Sequence, residues 1–141
     1  MRLVKEFEVA KAKKSAVALL AKDETLLDLF PDAETEIVEK KRNRKTTRSR
    51  YKLLGREGEA TFHFTFEPGG DVAFEKVCDG RVWKRLAGTL SFEAAGPRKT
   101  RVRIELDGAT KGLVPEFTIK APMQQQIEQM AGALCRALEG A

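Results

Sequence analysis

The chain has 141 residues, 42% of them hydrophobic and 33% charged, with a net charge of +5. At that length roughly two thirds of the unfolded surface can be buried, so one domain spanning 1–141 with a real core is expected. No apolar run approaches the roughly 18 residues of a membrane span. Arg2, Lys5, Glu6 and Glu8 deny the N-terminus a signal peptide's apolar centre, which predicts a cytoplasmic protein. Cys78 and Cys135 have no CxxC spacing, so they read as reduced thiols packed as small apolar groups. With these two cysteines and His63 alone, no histidine- or cysteine-rich metal site can be assembled, and neither metal nor cofactor is expected.

Leu3, Phe7 and Val9 alternate with Arg2, Glu6 and Glu8, the pattern of a half-buried strand. From Ala10 the pattern changes: Ala12, Ala16, Val17, Leu19, Leu20 and Ala21 suit a short helix. Asp23 is placed to cap a second helix, with Leu26, Leu27, Leu29 and Phe30 on its apolar side and Pro31 as its stop.

Residues 34–54 read as two strands turning near Asn43 to Lys45, on few apolar positions (Ile37, Val38, Tyr51, Leu53). Ala60 to Phe66 is the clearest strand: Phe62, Phe64 and Phe66 face one way, Thr61, His63 and Thr65 the other. Pro68-Gly69-Gly70-Asp71 and Cys78-Asp79-Gly80 read as turns around a strand from Val72 to Val77. Arg81 to Glu93 and Lys99 to Ala109 follow, joined by Ala95-Gly96-Pro97-Arg98, and turns at this spacing predict an antiparallel meander. In the last stretch Met123, Ile127, Met130, Leu134 and Leu138 recur at helical spacing, with Pro122 fitting the first helical position and Gly140 the close. Pro115 leaves an earlier start open, with a kink at Pro122. A lone long helix after a run of strands must bury its apolar stripe against the sheet.

This order of elements resembles the START-like, Bet v 1-like helix-grip superfamily of polyketide cyclase/dehydrase and lipid-transport proteins. The resemblance covers essentially the whole chain. Its specific parts are Val17-x-x-Leu20 leading to Leu29-Phe30-Pro31, and Gly88-Thr89-Leu90-x-Phe92 followed by Thr100-Arg101-Val102. Members often carry a Gly-x-Trp-x-aliphatic stretch before a turn and Thr-x-Val; Leu90 stands here in place of that Trp. The resemblance implies an α+β helix-grip fold: a curved antiparallel sheet of about six to seven strands around a long C-terminal helix, with two short helices after strand one. It also implies a cavity between sheet and helix, and no particular reaction, because the superfamily hosts carriers, cyclases, hydrolases and chaperone cofactors.

The residues expected to line that cavity are Tyr51, Phe62, Phe64, Phe66, Phe74, Leu86, Leu90 and Phe92 from the sheet, with Met123, Ile127 and Met130 from the helix. The same residues suit a plain core, yet a strongly bent sheet touches a helix along only part of its length, and the apolar residues left over line a pocket. Methionine on the helix side favours adaptable contact with an apolar guest. No catalytic residue is assigned. His63 falls on the face away from the phenylalanines, where a general base would not meet a ligand beneath the helix. The glycine pairs at 55–58 and 69–70 lack the strand-to-helix context of a phosphate loop and read as turns, and no nucleophile sits in an elbow.

Nine cations and no acid fall between positions 40 and 56, so the rest of the chain carries −4 (5 less 9). Lys41, Arg42, Arg44, Lys45, Arg48 and Arg50 are its centre, with Lys40, Arg42 and Arg44 expected on one face and Arg48, Arg50 and Lys52 on another. Such a hairpin is a solvated edge that discourages strand-to-strand association, a patch for an anionic membrane surface or acidic protein, or a phosphate contact. With Tyr51 alone to stack on bases, nucleic acid is the weakest of these. The expected function is non-catalytic binding or transport of a hydrophobic small molecule (lipid, isoprenoid, quinone or polyketide-like). The alternatives are a cyclase- or hydrolase-type enzyme using Tyr51, Lys84 or Thr47 in the same cavity, and an interaction module built on the basic hairpin.

Overall fold

The computed structural model describes residues 1–53, 56–78 and 82–140. The chain runs β1 (Arg2–Val9), α1 (Lys13–Leu20), α2 (Asp23–Leu27), β2 (Ala33–Lys40), β3 (Arg44–Leu53), β4 (Arg56–Phe66), β5 (Val72–Lys76), β6 (Trp83–Gly96), β7 (Lys99–Thr110) and α3 (Phe117–Glu139). The strands form a seven-stranded sheet in the order β1-β7-β6-β5-β4-β3-β2, every pair antiparallel. Directly opposed residues share a face of such a sheet, so the register defines its interior rung by rung. One rung reads Leu3, Leu106, Gly88, Phe74 and Phe64; the next reads Lys5, Ile104, Leu90, Val72 and Phe66. Gly88 has no side chain because the Phe74 ring and the Glu105 carbonyl occupy the space a Cβ would fill.

α3 lies against β1, β7 and α1. Its Ile127, Met130, Leu134 and Leu138 are buried in one cluster with Leu3, Val9, Phe64, Phe74, Leu90, Phe92 and Ile104. Polar contacts hold its flanks: Lys5 ion-pairs with Glu128 at 3.2 Å, Gln129 Nε2 donates to Asp32 Oδ2 at 2.6 Å, and Ala10 N–H donates to Glu139 at 3.1 Å. Thus Lys5, inward by register, reaches past the apolar layer to a carboxylate at the surface.

Several sequence-based expectations shift. α3 starts at Phe117, so Pro122 lies inside the helix instead of opening it. Winding begins at Pro115 and Glu116, whose carbonyls accept from Thr118 and Ile119 N–H groups at 3.1 and 3.0 Å. Pro122 removes the N–H that would reach the Thr118 carbonyl, and Thr118 is exposed to water that can take its place. Asp23 does not cap α2: Lys22 holds the N-cap position without a side-chain cap, and Asp23 pairs with Lys40 and Lys45 instead. Glu57 and Gly58, read as part of a turn, belong to β4. The predicted Cys78-Asp79-Gly80 turn, Arg81 and Gly55 fall on or reach outside the described residues.

A register shift between Ile37 and Glu39 in β2 changes the phase of the first hairpin. Before it Ala33, Thr35 and Ile37 oppose Tyr51, Ser49 and Thr47; after it Glu39 opposes Thr46. β3 itself runs unbroken from Arg44, so Arg44 shares the outer face with Arg48, Arg50 and Lys52, and the expected split between Arg44 and these cations does not hold.

Candidate functional site

Two clefts meet at the connection from α2 to β2. One, of about 970 Å³, is lined by Pro31, Asp32 and Ala33, by Arg50 and Tyr51 of β3, and by Glu57, Gly58 and Glu59 of β4, among others. The other, of about 400 Å³, lies between Leu27 to Ala33 and the α3 residues Ala133, Arg136 and Ala137. Pro31 and Ala33 border both. Phe30, which lines the smaller cleft, is 8% exposed, and its ring stacks on Phe62 with centroids 5.3 Å apart. Phe62 in turn meets Phe64 and Phe74 with centroids at 6.2 and 6.5 Å, so an aromatic chain runs from the smaller cleft into the core. Such ring pairs add about 0.5–1.5 kcal/mol beyond burial alone.

Tyr51 and Gly58 oppose each other across β3 and β4. The phenol ring covers the glycine, its carbons 2.5 Å from where a Cβ would stand, so only glycine leaves Tyr51 room at this rim. Inward along β3 come Ser49, Thr47 and Lys45. Ser49 Oγ and Thr35 Oγ1 share a hydrogen bond of 2.8 Å. Lys45 donates to the Ala21 carbonyl at 2.6 Å, pairs with Asp23 at 2.7 Å and lies 5.2 Å from the centre of the Phe66 ring. Thr47 is fully buried, and among the described residues its hydroxyl is the only buried side-chain oxygen or nitrogen without a hydrogen-bond partner.

Of the eleven predicted lining residues, Tyr51 is the one that borders these clefts. Phe62 and Phe66 are half-buried and pack on the core, as does Met123 on α3. Phe64, Phe74, Leu86, Leu90, Phe92, Ile127 and Met130 are buried. The Gly69-Gly70 turn is at the opposite end of β4 from Gly58, and a Cβ on Gly70 (φ 101°) would meet Val17 of α1. The sequence places Thr47 among the candidates for catalysis and Phe30 on the apolar side of the second helix, but offers no role for Ser49 or Thr35. The available signal was the alternation of Thr47, Ser49 and Tyr51 with Arg48, Arg50 and Lys52, polar on both faces of one strand.

Of the three polar groups considered for catalysis, Thr47 and Tyr51 face inward, whereas Lys84 is exposed at an irregularity of β6. His63 lies on the outer face and shares a 2.7 Å hydrogen bond with Thr46. Burial, then the neighbouring Glu139 charge, pushes the Cys135 thiol above its ordinary value, away from the reactive thiolate. Among the described residues no three histidine, cysteine or acidic side chains gather to hold a metal. None of the described helices is long and apolar enough to cross a membrane.

The cations of the basic hairpin interleave with acids that the strand order brings beside them. Lys41 and Arg44 meet Glu39 at 3.8 and 3.0 Å; Arg48 meets Glu36 and Glu59 at 3.7 and 3.1 Å; Arg50 meets Glu36 at 3.9 Å. Lys45 is drawn inward to Asp23, and Arg42 remains exposed. The run of positive charge in the sequence is thus partly neutralised in space.

No protein-family model matches the chain, and no curated protein does. Solved structures do match. The chain is similar to the Zhui aromatase/cyclase of Streptomyces sp. R1128, with 16% identity over 99% of this chain and 92% of that one, TM-score 0.77. It is similar to a START superfamily protein of Mycobacterium smegmatis, with 17% identity over 97% and 96%, TM-score 0.77. It also resembles a STAR-related lipid transfer protein of Xanthomonas axonopodis, with 14% identity over 97% and 85%, TM-score 0.70. The chain has the START and Bet v 1-like helix-grip fold, with its curved antiparallel sheet, two short helices after the first strand and long C-terminal helix.

Proposed function

We propose that residues 1–141 act as one domain that binds a hydrophobic small molecule without transforming it. The observation carrying this reading is the Phe30–Phe62 stack. Phe30 lines the smaller cleft beside Pro31 and Ala33, which border both, and its ring covers Phe62, the neighbour of Thr47 across β3 and β4. The ligand enters from the Tyr51–Gly58 rim and displaces Phe30, so that Tyr51 and Phe62 touch it first. Phe64, Phe66, Phe74, Leu86, Leu90, Phe92, Met123, Ile127 and Met130 form the apolar wall behind them. Affinity comes from apolar burial at about 25 cal/mol per Å², less the cost of association. The names of two structural neighbours, an aromatase/cyclase and a lipid transfer protein, support a hydrophobic ligand for those proteins and, by shared fold, for this one.

A cyclase-type enzyme in the same place is the second reading, favoured by the inward Thr47 hydroxyl and by Tyr51 at the cleft. Native mass spectrometry of gently purified protein, together with titration of an apolar fluorescent dye, tests the binding reading. A co-purifying small molecule, or saturable dye uptake, is expected. Ligand-free protein that takes up no dye would leave the fold without this function.

A further inference from the structure

β3 is unlike the other strands on its inward side. Where β4, β6 and β7 turn Phe62, Phe64 and Phe66, Leu86, Leu90 and Phe92, or Val102, Ile104 and Leu106 into the interior, β3 turns Tyr51, Ser49, Thr47 and Lys45. Successive inward residues of a strand stand about 6.8 Å apart, so these groups form a polar lane leading inward from the Tyr51 rim. Ser49 is matched by Thr35, and Lys45 by Asp23 and the Ala21 carbonyl, while Tyr51 stands half-buried at the rim. Thr47 is the exception, wholly buried and unpartnered. Its rung neighbours are Ile37 and Phe62, which offer no polar atom beyond the backbone.

Buried hydroxyls are almost always hydrogen-bonded, and one left alone is destabilising. Valine has the same shape without that penalty, so folding alone gives no reason for threonine here. A site made to hydrogen-bond a ligand oxygen does leave such a group when the protein is alone.

We infer that Thr47 anchors a neutral oxygen of the ligand, a hydroxyl or carbonyl on an otherwise apolar body that lies against Phe62. This inference rests on the ligand-binding reading above and narrows it to oxygen-bearing ring or chain compounds, excluding plain hydrocarbon tails at this position. The oxygen is neutral because Ile37 and Phe62 provide no charge to match an anion buried between them, and Lys45, the next inward residue of β3, is already paired with Asp23.

The test compares 2-naphthol with 2-methylnaphthalene, near-identical in shape and differing in one hydroxyl, by fluorescence titration of the full chain. Wild type is expected to prefer 2-naphthol. Thr47→Val is expected to lose about tenfold in affinity for 2-naphthol, the worth of one hydrogen bond, while its affinity for 2-methylnaphthalene is unchanged. Thr47→Ser keeps the hydroxyl and is expected to retain the preference, and melting curves report whether each variant is folded. If both probes bind Thr47→Val as they bind wild type, the anchor is refuted and the binding reading stands. A Thr47→Val protein less stable than wild type also refutes it, because the hydroxyl then has a structural partner. If neither probe binds wild type, the inference falls together with the reading beneath it.

Discussion

The Phe30 ring lies nearly parallel to the Phe62 ring, 25° between planes, although Phe30 belongs to the connection after α2 and Phe62 to the middle of β4. That contact closes the half of the sheet that α3, lying on β1 and β7, leaves to other elements. The proposed entry of a ligand requires Phe30 to move, and its short connection has fewer packed residues to carry with it than the 23-residue α3.

Phe30→Ala is therefore expected to lower stability by about 3 kcal/mol, the usual cost of deleting a buried ring, and to increase uptake of an apolar dye. Urea unfolding and dye titration on the same preparation read both effects. Loss of stability without gain in dye binding would mean that nothing behind Phe30 accepts a guest.

Thr47→Val is expected to raise the stability of ligand-free protein by about 1–3 kcal/mol, because it removes a buried hydroxyl that has no partner. The midpoint of urea unfolding at unchanged slope is the measurement.

Asp23 ties the α1–α2 corner to the β2–β3 hairpin. Its hydrogen bonds from Lys40, then Lys45, hold its carboxyl below the ordinary value of 3.8. A depressed carboxyl adds stability that is complete above its unfolded value and is lost as the pH falls through the lower folded one. The stability gap between wild type and Asp23→Asn is thus expected to be level at neutral pH and to close below pH 3.8. Added salt should narrow it, since the side chain is one-third exposed. Urea midpoints across pH and ionic strength check both.

Arg48 bridges Glu36 on β2 and Glu59 on β4 from the outer face. Arg48→Glu sets like charges side by side and is expected to cost about 1–2 kcal/mol while leaving dye binding unchanged. Partition into anionic vesicles, measured for the same pair, distinguishes edge stabilisation from lipid docking: unchanged partition speaks for the edge.

Pro122→Ala restores an N–H donor toward the Thr118 carbonyl and removes the ring from the second turn of α3. A gain of up to about 3 kcal/mol is expected, read as a higher melting temperature.

Local pattern was enough for most of the architecture. The period-two alternation of Phe62, Phe64 and Phe66 and the three-four spacing of Ile127, Met130 and Leu134 name which faces must be buried, and burial of an apolar face follows directly from its chemistry. Order of elements then pointed to a sheet gripping a helix. Pairing in space decided the rest. Whether Thr47 or Arg48 points inward is decided by the register of β3 with Phe62 on β4, and a strand polar on both faces leaves that choice to its partner. The basic run loses much of its charge only when strand order sets Glu36, Glu39 and Glu59 beside it. Phe30 is an ordinary apolar residue near a proline until the fold lays it on a ring 32 positions away. Such contacts are fixed by long-range packing, whose partners a chain meets only once it is folded.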